Sequence, residues 1–266
     1  MRRSSKIILI AAVLAVAALE IFFASELKAT EVGSVIYELI IRAIGIAAFV
    51  ALIMELGYLK LFSVRWSVKP RDIIFLLVCF VIAVNNFPFA ALIGGKVTLN
   101  LEWGKALNFA VTCIFVGGYE EISFRGFLLP LFLERMKKNR WGAFLAIAFS
   151  SMIFGAVHIV NIFAGADPVA VLLQIGYASL IGALTSVVLL RTQNLWYCIL
   201  LHALYNFNGG LVDKFGSGEI WTPSQIALTA TVAILVAAYV IWQFCKLSEE
   251  DIQAVLERKR RKNADV

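Results

Sequence analysis

Two adjacent glutamates and an arginine lie inside a long apolar stretch of the sequence, where ionisable side chains are unexpected. Glu120, Glu121 and Arg125 all fall within the apolar run 107–133. A charge at the centre of a membrane helix costs roughly 2.5 to 3.5 kcal/mol on insertion scales, so it marks a functional site by default. In a helix, residues four apart share a face, while neighbours diverge by about 100°. Glu121 and Arg125 are therefore expected to form an ion pair, which leaves Glu120 available for chemistry.

The chain has only two histidines, and each lies in an apolar run four residues from another residue of interest. His158 follows Phe154, and His202 precedes Asn206. A spacing of four puts both members of each pair on the same face of a helix. Because lipid would leave the polar groups without hydrogen-bond partners, the three helices are expected to direct them into a shared interior.

A carboxylate, two imidazoles and an amide are the groups that hydrolysis of a peptide bond requires. A glutamate in a partly dry pocket can act as general base for water, and an imidazole can position that water. The second imidazole and the Asn206 amide can donate hydrogen bonds to the developing oxyanion, a contribution of about 2.7 to 4 kcal/mol per donor. The residue types thus favour peptide hydrolysis.

These residues also occur in an order that resembles a known family, the CAAX protease and bacteriocin-processing (CPBP, or ABI) family of intramembrane endopeptidases. The resemblance covers residues 107–210, and the remaining helices show nothing specific. It is carried by three motifs on successive helices: Glu120-Glu121-x-x-x-Arg125, Phe154-x-x-x-His158 and His202-x-x-x-Asn206.

The resemblance implies a role for each motif residue. Glu120 and His158 would hold and activate the catalytic water, and His202 with Asn206 would form the oxyanion hole. Glu121 and Arg125 match the remaining motif positions and fit a structural ion pair, and Phe154 is expected to pack at the pocket wall. Family members process prenylated C-terminal motifs or small peptides, but the resemblance does not identify the substrate of this chain.

The composition indicates an integral membrane protein. Of the 266 residues, 61% are hydrophobic and 16% charged, and the mean hydropathy is +0.86, whereas globular proteins average about 45 to 50% apolar and 25% charged residues. We expect an all-α, polytopic fold with a single membrane domain over 1–266 and no sizeable soluble domain. The expected partners are membrane lipid and a peptide or lipidated protein, and nucleic acid is not expected as a partner.

The apolar runs predict eight membrane-spanning helices. With the N-terminus in the cytoplasm, eighteen Lys and Arg residues fall on the cytoplasmic side and four on the other. This asymmetry follows the positive-inside rule and places both termini in the cytoplasm. The tail 247–266 is expected to form a short amphipathic helix on anionic lipid, ending in a basic cluster. The predicted spans are 7–24, 35–59, 73–93, 107–133, 143–164, 169–190, 195–212 and 226–245.

Three alternatives to a glutamate protease use the same polar residues. A zinc protease would take Glu120, His158 and His202 as ligands, although no H-E-x-x-H motif is present. A transporter would use the cluster as a substrate site, but no pair of repeated broken helices supports this function. A non-catalytic immunity or scaffold protein would keep the pocket for packing alone. The glutamate protease itself needs no cofactor.

The surroundings of the site are also predicted by sequence. The fourth, fifth and seventh spans are expected to form a polar cavity, with the second and sixth spans enclosing it. Asn85 and Asn86, shortly before Pro88, predict a kink or break in the third span. The small residues of the sixth span, Gly182 among them, predict close helix packing.

Overall fold

The structure is a computed structural model that describes residues 31–63, 69–163 and 165–258. The first predicted span, 7–24, and all but Arg258 of the predicted basic cluster 258–262 lie outside the described residues. The described chain is mainly helical and consists of α1 (Glu31–Leu56), α2 (Pro70–Val84), α3 (Phe89–Ile93), α4 (Trp103–Glu121), α5 (Leu129–Arg135), α6 (Arg140–Val157), α7 (Val160–Phe163), α8 (Pro168–Thr192), α9 (Leu195–Phe215), α10 (Pro223–Cys245) and α11 (Glu249–Glu257).

Three shorter elements complete the fold. A 3-10 turn, Leu59–Phe62, follows α1. A π-helical segment, Ile122–Leu128, joins α4 to α5 without a break in the helix. Two short strands, β1 (Val97–Leu99) and β2 (Gly216–Gly218), pair antiparallel with Val97 opposite Gly218. The all-α class predicted from composition is therefore confirmed.

Four of the predicted spans correspond to helices that are long and apolar enough to cross a membrane: Val35–Leu56, Arg140–Phe163, Pro168–Thr192 and Pro223–Cys245. The other three predicted spans within the described residues are also helical but differ in length or polarity. The helix α2 has only 15 residues, whereas α4 and α9 carry the ionisable residues of the site. The count of eight spans stays a prediction.

Local sequence signals explain where several helices begin and end. The side chain of Asn139 accepts a hydrogen bond from the backbone at the start of α6, and Asn194 does the same for α9. Asp167 caps α8, and Pro168 occupies its first turn, where a missing N–H costs nothing. The same helix ends at Gln193, which adopts the left-handed conformation with a φ of 54°, as is common just after a helix.

Contacts between the ends of helices, and between the two short strands, define two ends of the helix bundle. At one, the basic end, Arg191 contacts Asp72 at 2.6 Å and Arg71 contacts Asp251 at 3.0 Å. At the other, the sheet end, β1 pairs with β2, and the Asn100 N–H donates to the carbonyl of Phe215 at 2.8 Å. Because each long helix runs from one end to the other, successive helices alternate in direction.

The apolar core lies toward the basic end. Its fully buried members come from helices that converge there, and the exposed fraction of each side chain is 0%. They include Ile53 of α1, Leu129 of α5, Leu189 and Leu190 of α8 and Leu195 of α9. This end of the bundle is therefore closed by packing, while the sheet end holds the cavity described below.

The C-terminal helix α11 packs on protein. Ser248 and Asp251 form a reciprocal capping box at its start. Leu247, Ile252 and Val255 are each at least 96% buried, and α11 contacts α8 and α5. The tail was expected to lie on lipid, and for α11 that expectation was wrong, because its apolar face is covered by the neighbouring helices.

Candidate active site

The two glutamates are the last residues of α4, immediately before the π-helical segment. A π-helix is rare, and its short occurrences within α-helices are found mostly at functional sites. Here the segment carries Arg125, and Ser123 donates its hydroxyl to the Tyr119 carbonyl at 2.6 Å. The wider turn follows Glu120 and Glu121 directly, so it sets how these side chains and the guanidinium of Arg125 leave the helix.

Glu121 is fully buried and holds three neighbours through one carboxylate oxygen. Its Oε1 lies 3.3 Å from Nη1 of Arg125, 2.7 Å from Nδ1 of His202 and 3.3 Å from the hydroxyl of Thr185. Both members of the ion pair have side-chain exposures of 0%. The Glu121–Arg125 pair predicted from spacing is present, and it also joins α4 to α8 and α9.

The guanidinium of Arg125 is also covered by aromatic rings. It lies 4.5 Å from the ring centre of Phe154 and 5.9 Å from that of Phe124. Gly182 of α8 leaves the space that it occupies, because a Cβ there would lie 2.5 Å from Nη2 of Arg125. A carboxylate at ion-pair distance and the face of a ring thus offset part of the desolvation of this charge, whose three guanidinium nitrogens make no hydrogen bond within the described residues.

His202 lies between the two glutamates, with one ring nitrogen facing each. Nδ1 is 2.7 Å from Oε1 of Glu121, and Nε2 is 3.2 Å from Oε2 of Glu120. Oε1 of Glu121 also lies at ion-pair distance from Nη1 of Arg125, so we assign it as the acceptor and Nδ1 of His202 as the donor of this hydrogen bond. At 3.2 Å, Nε2 and the Glu120 carboxylate are close enough to share a further proton, which either group can hold. Glu120 and His202 therefore form a proton-sharing pair.

Phe154 lies between the two histidines as well as against the arginine. Its ring centre is 5.4 Å from that of His158 and 5.7 Å from that of His202, both in edge-to-face geometry. The side chain is 1% exposed. The packing role that the sequence predicted for Phe154 is present, and in the structure this one ring contacts both imidazoles and the guanidinium.

A cavity of about 510 Å³ brings the predicted catalytic residues together. Glu120, His158, His202 and Asn206 all line it, with Phe154 in its wall. Glu120 retains 16% side-chain exposure, whereas Glu121 and Arg125 do not line the cavity and lie behind it. The structure therefore separates the two glutamates as the spacing predicted, one toward open space and one toward the arginine.

The walls of the cavity differ in part from those expected. The sixth predicted span, α8, contributes to the lining, but no residue of α1, the second span, does. This part of the prediction was wrong, because α1 packs behind α4, where Phe49 lies against the ring of Tyr119. The break after α2 and the first half of α10 line the cavity instead.

The predicted break in the third span lies directly at the cavity. Helix α2 ends at Val84, and both Asn85 and Asn86 line the cavity. The Asn86 side chain donates to the backbone carbonyl of Tyr205 at 2.9 Å. This bond attaches the break to α9, the helix that carries His202.

Close backbone packing holds α4 against α9. A Cβ on Gly117 would lie 3.0 Å from the backbone nitrogen of Ala203 and 3.3 Å from the carbonyl oxygen of Ile199. Gly117 is three residues from Glu120, and Ala203 is next to His202. The contact between backbones therefore fixes the separation of the proton-sharing pair more rigidly than side-chain packing would.

The residues proposed as alternative zinc ligands are only partly grouped. Among the described residues, no three His, Cys, Asp or Glu side chains are grouped as a metal site would require. Nε2 of His202 faces Glu120, and Nδ1 faces Glu121, which is the kind of carboxylate partner that a metal-bound imidazole also has. Dependence on zinc therefore stays a prediction, and the chelator assay described below tests it.

One comparison with known proteins identifies a family for this site. Residues 102–208 match the family model described as "Type II CAAX prenyl endopeptidase Rce1-like". Comparisons with curated proteins and with solved structures each found no match. The matched region covers less than half of the chain, but it contains all of the motif residues. The match agrees with the CAAX protease and bacteriocin-processing family that the order of the motifs predicted.

Proposed function

We propose that this protein is an intramembrane endopeptidase that hydrolyses a peptide bond by means of water activated by Glu120. The observation that supports this most directly is the difference between the two glutamates. Glu121 is fully buried against Arg125, whereas Glu120 lines the cavity beside His202. One carboxylate thus maintains the structure, and the other reaches open space where a substrate and a water can bind.

The first chemical step belongs to Glu120 and His158. These residues hold a water molecule in the cavity, and Glu120 removes a proton as the water oxygen attacks the carbonyl carbon of the substrate. The peptide carbonyl becomes a tetrahedral oxyanion. Glu120 then returns the proton to the amine nitrogen as the C–N bond breaks, which yields a carboxylic acid and an amine; transfer of the acid proton to the amine gives the final carboxylate and ammonium products.

The oxyanion is stabilised by His202 and Asn206. Nε2 of His202 lies 3.2 Å from Glu120, so a proton on this nitrogen is close to the attacked carbonyl. The side-chain amide of Asn206, one turn further along α9, supplies a second donor from the cavity wall. Glu121 acts through His202, because its carboxylate accepts from Nδ1, fixes the orientation of the ring and pairs with the imidazolium, the form in which Nε2 also carries a proton that it can donate to the oxyanion.

The substrate is a membrane-associated or lipid-modified peptide, and prenylated CAAX-type peptides are one class to test. The family match supports a peptide or prenylated protein at this level of detail. The apolar helices support a position in the cell membrane. We place both termini in the cytoplasm, in line with the charge distribution of the loops. The reaction needs no cofactor.

The test is cleavage of quenched fluorescent peptides, with and without a prenyl group, by the detergent-purified protein. Glu120→Gln removes the base while keeping the shape of the side chain, and Glu102→Gln is the matched control because Glu102 is exposed at the start of α4. His158→Ala and His202→Ala complete the set, and each enzyme is assayed with and without a chelator. We expect cleavage by the native protein and the control variant, and none by the other three.

Each alternative gives a different result. Cleavage that is lost with a chelator and restored by zinc would replace the glutamate mechanism with a metal-dependent one. Full activity of Glu120→Gln would show that Glu120 is not the general base. If no peptide were cleaved while all variants remained folded, the protein would be a non-catalytic member that keeps the pocket for binding or packing.

A further inference from the structure

Along α9, the helix that carries His202, the lining of the cavity reaches exposed residues at one end only. Lining residues on α9 extend from His202 to Asp213, a distance of about 16 Å at 1.5 Å per residue. Asp213 is exposed, and Trp221, which also lines the cavity, is 56% exposed. In the other direction along α9, Cys198 and Leu195 have no exposure. The mouth of the cavity is therefore at the sheet end.

The same two ends differ in basic residues. Of the described Lys and Arg residues, ten lie at the basic end and three at the sheet end, with Arg42 and Arg125 inside helices. The three at the sheet end are Lys96, Lys105 and Lys214. The ten at the basic end are Lys60, Lys69, Arg71, Arg135, Lys137, Lys138, Arg140, Arg191, Lys246 and Arg258.

Hydrogen bonds connect several of the segments that carry these ten residues at one end of the bundle. Arg140 donates to the backbone carbonyls of Cys245 and Leu247. Arg258 donates to the carbonyls of Lys60 and Gln193. Since short basic loops are retained in the cytoplasm, the basic end is the cytoplasmic end of the bundle.

From these two observations we propose that the cavity opens on the extracytoplasmic side of the membrane. If the proposed function holds, the substrate is a peptide presented from that side, either an exported peptide or the outer segment of a membrane-anchored one. A lipid-modified C-terminus in the cytoplasmic leaflet faces the closed end of the bundle, where Glu121 and Arg125 are fully buried. The inference thus narrows the substrate class that the family match leaves open.

The side of the membrane on which each end of the bundle lies is tested first, by cysteine labelling that does not depend on enzymatic activity. Cys245 is exposed near the basic end, and the three other cysteines are buried. Ser217, in β2 at the sheet end, is exposed. In intact cells, a membrane-impermeant maleimide should label Ser217→Cys made in a Cys245→Ser background. The native protein should be labelled only after the membrane is permeabilised. The reverse pattern would overturn the proposal.

The side of cleavage is tested with a membrane-impermeant fluorogenic peptide that the detergent-purified enzyme cleaves. Right-side-out vesicles should cleave it and inside-out vesicles should not, with Glu120→Gln as the blank in both. Cleavage only by inside-out vesicles would overturn the inference and leave the protease function standing. If even the purified protein cleaves no peptide, the protease function fails, and maleimide labelling still decides on which side the cavity opens.

Discussion

Glu120 and Glu121 are adjacent in sequence but lie in different surroundings. The proposed catalytic role of Glu120 and structural role of Glu121 follow from this difference. The Glu121 side chain has no exposure and contacts a buried guanidinium, while Glu120 keeps 16% exposure in the cavity wall. A buried ion pair contributes little net stability compared with apolar residues, but removing one partner leaves the other charge uncompensated. The two glutamates should therefore respond differently to the same substitution.

Glu121→Gln is expected to lower the free energy of unfolding by about 3 to 5 kcal/mol, the usual cost of breaking a buried pair. Arg125 would keep its charge but lose its only ion-pair partner among the described residues. Glu120→Gln, the matched control, should leave the apparent Tm of the purified protein close to native while abolishing cleavage. Equal Tm values for the two variants would contradict the division between structural and catalytic glutamates.

Sequence alone predicts much at this scale. The spacing of four was sufficient to predict the Glu121–Arg125 contact, because it depends on a single helix. It was not sufficient to predict that His202 contacts both glutamates, since this depends on how α9 is aligned against α4. Nor does any periodicity in Ile122–Leu128 predict a π-helical turn.

At the scale of helices, the site depends on one position of α8 that has no side chain. Gly182 faces Arg125, and a Cβ at this position would also lie 3.1 Å from Cδ1 of Phe154 and 3.3 Å from Cα of Ser151. The nearest atom belongs to a guanidinium that is itself fully buried. Helix packing and the position of the ion pair are therefore controlled by the same glycine.

Gly182→Ala is expected to destabilise the protein by about 1 to 3 kcal/mol, the usual cost of overpacking a core. Displacement of Arg125 and Phe154 should also reduce the rate of cleavage. Gly176→Ala is the control on the same helix, because a Cβ there meets nothing within 4 Å, and it should leave stability unchanged or raise it slightly. Thermal unfolding and peptide cleavage measured on both variants test this, and a Gly182→Ala protein as stable and active as Gly176→Ala would contradict it.

The sequence predicted these helices better than it predicted their neighbours. Apolar runs located α1, α6, α8 and α10 because each is long and apolar enough to be recognised alone. The lining of the cavity by α10 and the docking of α11 were not predicted. Both depend on contacts between distant segments, and an amphipathic helix has the same pattern whether lipid or protein covers it.

For the whole molecule, the basic end is held by an ion-pair network that connects distant parts of the chain. Asp72 of α2 accepts two hydrogen bonds from Arg191 of α8, at 2.6 and 2.9 Å. Arg191 also donates to Gln243 of α10 and lies 4.3 Å from the ring centre of Phe75. Three helices that surround the cavity are thereby fixed at the end opposite its mouth.

Asp72→Asn should lower the free energy of unfolding by about 3 kcal/mol, because Arg191 is only 9% exposed and would lose its ion partner. The control is Glu102→Gln, which breaks the pair with Lys105 at the sheet end, where both side chains are more than half exposed. That variant should change stability by less than about 0.5 kcal/mol. The apparent Tm values of the two purified variants test this prediction. Similar decreases in Tm for both variants would contradict a stabilising ion-pair network at the basic end.

The walls of the cavity also have an evolutionary consequence. The motif residues lie on α4 and the π-helical segment that follows it, on α6 and its C-cap His158, and on α9, and Gly117 packs against α9 at the backbone. The break at Asn85 and the first half of α10 contribute to the lining but contain no motif residue. Substitutions in these two segments can reshape the space for a substrate without moving Glu120 or His202. Relatives that act on different peptides are therefore expected to diverge first in the break after α2 and in α10, while the glutamate, histidine and glycine positions stay constant.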